Sequence, residues 1–176
     1  MTQAWLPWLL ILQGVLAGFD TLLNHEIIAG LPRKADARRE VGIHVYREVI
    51  WAILLLGLPW FAWHGAAAGF IAALLATEVC ITAWDEYVEN RSRVLPQNER
   101  VLHLFLAVNL GVIIAVLYPL LREWGSHPTG LVARNFGLLS WIISLFGLCA
   151  AAWAVRDTLA WLRLRRGSVI AGGTTR

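Results

Sequence analysis

The sequence is poor in charge and in cysteine, and both shortages limit what the chain can be. Only 15% of its 176 residues are charged, and Lys34 is its single lysine. Soluble domains carry about 25% charged residues, so an ordinary solvated domain is excluded. The two cysteines, Cys80 and Cys149, have no CxxC spacing and indicate neither a zinc site nor a redox pair. No basic patch is interleaved with aromatic residues, so nucleic acid is not an expected partner.

Apolar residues make up 58% of the chain, and its mean hydropathy is +0.60. A helix that crosses the hydrocarbon core of a bilayer needs about 20 predominantly apolar residues. Five stretches reach this length, namely 4–30, 36–63, 65–90, 98–121 and 135–161. We therefore predict an all-α integral membrane protein with five transmembrane helices, the first four forming a bundle of two repeated helical hairpins. Residues 1–166 would be one domain, and 167–176 a flexible tail.

The positions of the basic residues predict the orientation in the membrane. No lysine or arginine precedes Arg33, so the first stretch lacks the basic region of a signal peptide and is expected to be retained. By the positive-inside rule, the chain is expected in a bacterial inner membrane with its N-terminus outside and its C-terminus in the cytoplasm. The outer side holds only Arg122 and Arg134. The cytoplasmic side holds Arg33, Lys34, Arg38, Arg39, Arg91, Arg93, Arg100, Arg163, Arg165 and Arg166.

One stretch, residues 39–48, carries ionisable side chains towards the membrane. Glu40, His44, Arg47 and Glu48 follow the spacing i, i+4, i+7 and i+8, which is one face of a helix. The fifteen residues after Glu48 are almost wholly apolar, so these charges are expected to enter the bilayer with the helix. Ionisable groups inside a membrane are costly and usually mark a functional site.

The first two helices repeat weakly in the next two. The first copy reads Asp20-x3-Asn24, Leu31-Pro32, Glu40-x3-His44, and the second reads Asp85-x3-Glu89, Leu95-Pro96, Glu99-x3-His103. The connection between the hairpin helices is longer in the first copy. Both hairpins point the same way, so a pseudo-two-fold axis would run along the membrane normal, as in parallel transporter repeats.

The repeat predicts a binuclear metal site. Glu-x3-His places two ligands one helical turn apart, and two such pairs with carboxylates from the other two helices would hold two metal ions. The seven carboxylates of this region face one cation at similar depth, Arg47, so divalent cations would offset the excess charge. Carboxylates with two histidines favour iron, with manganese or zinc as alternatives. The predicted ligands are Asp20, Glu40, His44, Asp85, Glu89, Glu99 and His103.

Other polar residues are assigned around these ligands. Glu48 and Glu78 are candidate catalytic groups. Two simpler interpretations stay open. Glu48 can form an ion pair with Arg47, and Glu78 can be a protonated carboxylic acid that is hydrogen-bonded to a neighbouring helix. Asn24, His25 and Arg47 are expected to surround the ligands, with His25 about 140° from Asp20 at 100° per residue. Glu26 and Glu86 are expected to point away, towards solvent or arginine.

At the level of spacing pattern, the first four helices resemble the ferritin-like di-iron carboxylate proteins, which use two Glu-x2-His pairs in a four-helix bundle. Here the pairs are Glu40-x3-His44 and Glu99-x3-His103. The resemblance implies a di-iron oxygenase or oxidase in the bundle, acting on a lipophilic small-molecule substrate. A redox partner or a homo-oligomer would fit such an activity.

Two other functions stay open at this point. A zinc or manganese hydrolase acting on lipid headgroups would use Glu48 or Glu78 as a general base, and its activity would not need oxygen. A transporter of protons or divalent cations would use Asp20, Glu78 and Asp85 as a relay. Such a path would need polar groups in the outer half, where Gln13 and Asn109 are the main candidates.

Overall fold

The computed structural model describes residues 4–34, 37–92 and 94–172, and in these residues the chain is almost entirely helical. The predicted cytoplasmic Arg93 and the last four residues of the predicted tail lie outside the described residues. The helices are α1, Leu6–Asp20, which continues as a π-helix over Thr21–Ala29; α2, Arg38–Gly57; α3, Ala66–Ser92; α4, Gln97–Gly125; and α5, Leu138–Gly172. A short 3₁₀ turn, Leu31–Arg33, joins the first hairpin. Helix α5 therefore includes the first six residues of the predicted tail.

Four helical segments are long and apolar enough to cross a membrane, namely Leu6–Ala29, Ala66–Ser92, Gln97–Gly125 and Leu138–Arg165. The second predicted span, α2, does not meet the same measure of length and composition. All five of its charged residues lie between positions 38 and 48, namely Arg38, Arg39, Glu40, Arg47 and Glu48. The structure is therefore consistent with membrane association through four helices plus a fifth, and the predicted orientation stays a prediction.

The five helices pack in a closed order, α1–α4–α3–α2–α5, with α5 returning to α1. This differs from the predicted bundle of the first four helices, because α5 packs on both α1 and α2. The most extensive packing in the chain is between α2 and α5. Gly147 allows this approach, since a Cβ atom there would lie 2.8 Å from Cγ of Leu56 and 3.2 Å from a backbone carbon of Leu55.

The second hairpin lacks such an inserted helix, and α3 packs directly on α4. The longer connection of the first hairpin has a structural counterpart here. The 3₁₀ turn in that connection contacts both α2 and α5, so the chain crosses from α1 to α2 alongside the inserted helix.

A two-stranded antiparallel sheet closes one end of the bundle, the end predicted to face outward and here called the outer end, so the prediction of a purely helical chain is wrong at this point. Strand β1, Phe61–His64, pairs with β2, Gly130–Ala133, with Phe61 opposite Ala133 and His64 opposite Gly130. We predicted that the second helix would continue to residue 63, but α2 ends at Gly57. Pro59 lacks a backbone N–H and disfavours helix in the residue before it, which frees the following residues to pair with β2.

The two ends of the bundle interior differ in character. Buried leucines and isoleucines fill the outer half, among them Leu6, Leu54, Ile71, Ile113 and Leu117. The buried ionisable side chains lie at the inner end, where α2 begins and α3 ends; they include Asp20, Glu40, Asp85, Glu89 and Glu99. The interior of the bundle is therefore apolar in its outer half and polar at its inner end.

Replacing Gly147 with leucine is expected to destabilise the protein, because the new side chain would collide with Leu55 and Leu56 of α2. Overpacking of this kind typically costs about 1–3 kcal/mol. The midpoint of thermal unfolding in detergent would measure the loss. Gly69→Leu is the matched control, since a Cβ atom at this exposed helical glycine meets nothing within 4 Å. Equal midpoints for the two variants would contradict the assigned α2–α5 contact.

Candidate metal centre

The inner end of α1 is a π-helix, and this local geometry brings His25 to the centre of the bundle. The N–H of Gly30 bonds to the carbonyl of His25, and Gly30 ends the segment in the left-handed conformation with φ of 61°, as its position before Leu31-Pro32 suggests. Hydrogen bonds in a π-helix join residues five apart, so Asp20 and His25 lie on one face. Nε2 of His25 is 3.5 Å from Oδ2 of Asp20.

Three imidazole rings from three different helices converge beside Asp20. The rings of His25 and His44 are stacked, with centroids 4.3 Å apart and planes 4° from parallel. The ring of His103 meets that of His25 edge to face, with centroids 6.5 Å apart. Three side chains with nitrogen ligands therefore share one small region.

Carboxylates complete the cluster, and their contacts cross between the two hairpins. Nε2 of His103 in the second hairpin lies 3.3 Å from Asp20 in the first. Nε2 of His44 in the first hairpin lies 3.5 Å from Asp85 in the second. If a two-fold axis relates the two hairpins, a histidine of each hairpin is expected to contact an aspartate of the other, as these two contacts do. Helix packing follows the same relation, since α1 packs on α4 and α2 packs on α3.

Glu89 and Glu99 are fully buried and lie between histidines. One oxygen of Glu89 is 3.8 Å from Nε2 of His44 and the other is 3.5 Å from Nδ1 of His103. Glu99 lies 3.5 Å from Nε2 of His25. Glu89 thus lies between the side chains of His44 and His103.

Three overlapping groups of these side chains have the proximity that a metal ion requires. They are Asp20, His25, Glu99 and His103; His25, His44 and Glu89; and Glu86, Glu89 and His103, and the donor atoms within each group lie within 4.8 Å of one another. Around an ion with bonds of about 2.1 Å, neighbouring donor atoms are separated by roughly 3.0–3.4 Å. The observed separations of 3.3–3.8 Å are close to that spacing.

The histidine nitrogens that face the cluster also fit a metal. Nε2 of His25, His44 and His103 is buried and lies 3.3–3.5 Å from a carboxylate oxygen, without the geometry of a hydrogen bond. Buried polar atoms nearly always have a partner, and a protonated imidazole would form an ion pair with its carboxylate. A cation bound between the two groups would also partner them, because neutral imidazole and carboxylate are both ligands for divalent metals.

Five of the seven predicted ligands belong to these groups, namely Asp20, His44, Glu89, Glu99 and His103. Asp85 touches His44 but also accepts a hydrogen bond of 2.8 Å from Arg47. Glu40 is buried at the inner end of α2 but is not among the donor groups found in the described residues.

Neither of the two predicted catalytic carboxylates belongs to the donor groups found in the described residues. Glu78 accepts hydrogen bonds from Nε of Arg47 at 3.2 Å and from Nε1 of Trp51 at 2.9 Å. Because Arg47 pairs with Glu78 and Asp85, it joins α2 to α3. Glu48 is half-buried and lies beside Asp157 of α5.

The three side chains predicted to surround the ligands, Asn24, His25 and Arg47, have different contacts in the structure. Asn24 donates a 2.7 Å hydrogen bond to Asp20 and accepts one of 2.8 Å from Asn98, so it holds Asp20 in place. Arg47 holds Asp85 in the same way. His25, by contrast, lies inside two of the donor groups.

Sequence reasoning missed Glu86 and the polar part of α5. Glu86 lies 3.4 Å from Nδ1 of His103 and also accepts from Asn90, although it is exposed. Its spacing of three residues from Glu89 was the available signal. On α5, Asp157 is buried and binds Arg156, which also pairs with Glu26. The pairing of Glu26 with an arginine is as predicted.

Comparison with known proteins adds no further assignment, because no family model, no curated protein and no solved structure matches the chain.

Proposed function

We propose that the chain is a membrane-embedded enzyme with a binuclear metal centre, and that it carries out an iron-dependent oxygenase or oxidase reaction on a lipid-soluble substrate. One observation carries the proposal: three buried histidine nitrogens from three helices lie 3.3–3.5 Å from buried carboxylates of α1, α3 and α4, close enough for one ion to bind several of them. Burying several ionisable side chains inside an apolar helical bundle costs free energy, so such groups usually mark a functional site.

The side chains divide into donors for two ions. Asp20, His25, Glu99 and His103 are the fuller set and would hold the first ion. His44 and Glu89 would hold the second ion, with Glu89 between the two sites. Oδ1 of Asp85 is buried without a hydrogen bond next to His44 and offers a further oxygen donor.

The donor set favours iron over zinc. Structural zinc sites use cysteine and histidine, whereas histidine mixed with several carboxylates is the donor set of di-iron and di-manganese bundles. Bound iron would supply the oxygen chemistry. The chain itself would fix the carboxylates through Asn24 and Arg47, and hydrogen-bonded supports of this kind tune ligands in other metal sites.

The outer half of the bundle favours an enzyme over a transporter. Gln13 and Asn109, the polar residues predicted to complete a transport path, hydrogen-bond to each other at 2.8 Å. Asn109 also donates to the carbonyl of Leu9 at 3.0 Å. Beyond them the described interior is filled by leucine and isoleucine, which would oppose the passage of an ion.

Metal analysis of the detergent-purified protein tests the proposal, with wild type measured beside the double variant His44→Ala/His103→Ala. We expect about two iron or manganese ions per wild-type chain, as in di-metal bundles, and their loss from the variant. Oxygen consumption that depends on bound iron is the second readout. Circular dichroism of both samples controls for folding.

Three results would contradict the proposal. Wild-type protein that folds well but binds no metal would remove the metalloenzyme altogether. Zinc at about two per chain, with hydrolysis that needs no oxygen, would establish the hydrolase instead. Movement of protons or divalent cations across liposomes by the purified protein would support the transporter.

A further inference from the structure

Two clefts flank the candidate metal centre, and they differ in chemistry. The α3–α4 cleft has a volume of about 570 Å³, and its polar lining includes Arg47, Glu78, Asp85, Glu86 and Arg100. The α1–α5 cleft has a volume of about 290 Å³ and is lined by residues of α1, α2 and α5 together with Leu106 of α4. Both reach the cluster, the first at His103 and the second at Asp20, His25 and His44.

We infer that the α1–α5 cleft binds the hydrocarbon chain of a membrane lipid and presents one segment of it to His25 and His44. This inference rests on the proposed function, because it names the substrate class of the same metal centre. In this assignment the α1–α5 cleft is the route by which the substrate reaches the metal.

The lining of the α1–α5 cleft matches a narrow apolar chain. Small residues of α1, Gly14, Ala17 and Gly18, form one wall, while Leu55 of α2 and Phe146 of α5 contribute apolar surface. The volume of about 290 Å³ is just below the roughly 300–1,000 Å³ typical of small-molecule sites. The cleft therefore suits a slender aliphatic segment better than a bulky ring system.

The α1–α5 cleft combines apolar residues of α1 and α5 with ionisable side chains, namely Asp20, His25, His44, Arg47 and Glu48. A hydrocarbon chain in this cleft would therefore lie beside two of the candidate histidine ligands. Because α1 and α5 are both apolar enough to span a membrane, the open side of the cleft would face the acyl chains of the bilayer. A lipid chain could enter there without passing through water.

The α3–α4 cleft is a poorer site for hydrocarbon despite its larger volume. Arg47 lines both clefts, but in the α3–α4 cleft it forms ion pairs with Glu78 and Asp85, and the same cleft is also lined by Glu86 and Arg100. Covering these charged groups with hydrocarbon would remove their hydration without replacing it. This cleft suits water and protons.

A photoreactive palmitic acid with a diazirine in mid-chain tests the assignment on the full-length, metal-loaded protein in detergent. The signal is the labelling that excess unlabelled palmitic acid displaces, mapped to peptides by mass spectrometry. We expect displaceable labelling on α1 and α5. Gly18→Leu should reduce it roughly tenfold, because a leucine there overpacks an occupied cleft.

Gly111→Leu is the matched control. Gly18 lines the α1–α5 cleft and Gly111 lines the α3–α4 cleft. A Cβ atom at either glycine meets nothing within 4 Å, and leucine is a better helix former than glycine, so both variants should fold. Labelling that Gly18→Leu removes and Gly111→Leu retains supports the inference.

The metal content of the same samples separates the inference from the proposed function. Wild type and Gly18→Leu should bind equal amounts of metal. Displaceable labelling that maps to α3 and α4 and disappears in Gly111→Leu, with metal present, would overturn the inference and leave the metalloenzyme standing. Absence of displaceable labelling in metal-loaded wild type would also overturn it, and absence of metal in wild type would remove the proposed function.

Discussion

Replacing His25 with alanine is expected to remove most of the bound metal, as completely as the double replacement of His44 and His103. Nε2 of His25 lies 3.5 Å from both Asp20 and Glu99, and His25 belongs to two of the three donor groups. Even residues that only support a ligand typically change metal affinity about 10–100-fold, so loss of a ligand should exceed that range. Metal affinity measured by competition with a chelator would give the value.

His64→Ala is the control for this variant, because His64 lies in β1 at the opposite end of the bundle, where its ring stacks on that of His127. It removes a histidine without touching the cluster, and it should leave the metal affinity unchanged. A His25→Ala protein that keeps full metal affinity would show that His25 only surrounds the site, as its angle on an ordinary α-helix predicted.

Replacing Arg47 with methionine is expected to destabilise the fold strongly. The guanidinium group joins α2 to α3 through a 3.2 Å contact with Glu78 and a 2.8 Å contact with Asp85. Both carboxylates are buried, and removing one partner of a buried ion pair typically costs about 3–5 kcal/mol, since the other charge stays buried without compensation. Unfolding in a mixed-micelle denaturant titration would report the change in the free energy of unfolding.

Two further variants test the physical cause of this loss. Adding Glu78→Gln and Asp85→Asn to Arg47→Met removes the uncompensated charges, and the triple variant should recover part of the stability. Arg47→Lys keeps the charge but loses the planar fork that binds two carboxylates at once, so it should fall between wild type and Arg47→Met. Wild-type stability in Arg47→Met would contradict a structural role for the network.

Helix spacing and depth alone predicted much of the candidate site. Glu99-x3-His103 placed two donors one turn apart, and the structure puts both in the four-donor group with Asp20. His44 and Glu89 also meet as the repeat suggested. The side chains come together because those of one α-helix keep a fixed angular relation, and because the hairpins place residues of similar depth side by side. Their role as metal ligands stays a prediction.

The predicted roles of Glu78, Asp85 and His25 differ from their positions in the structure, because these positions depend on contacts between helices or on the local helix type. Arg47 engages Asp85 and Glu78, so these carboxylates serve packing between α2 and α3 in addition to any role near the metal. Periodicity could not show this, since it does not say which neighbouring helix a given face meets. His25 was placed at an α-helical angle, whereas the segment Thr21–Ala29 is a π-helix with a different angular relation.

By itself, the sequence determined the helical content, the approximate limits of the helices and the polar end of each one, because hydrophobic length and periodicity are local properties. It also predicted five of the side chains in the donor groups, namely Asp20, His44, Glu89, Glu99 and His103. Only the tertiary structure decided that α5 enters between α1 and α2, that β1 pairs with β2, and that His25 joins the cluster. These features depend on close packing between helices, such as the contact of Gly147 in α5 with Leu56 in α2, and on hydrogen bonds between segments that are distant in the sequence. They cannot be predicted from any one segment of the chain.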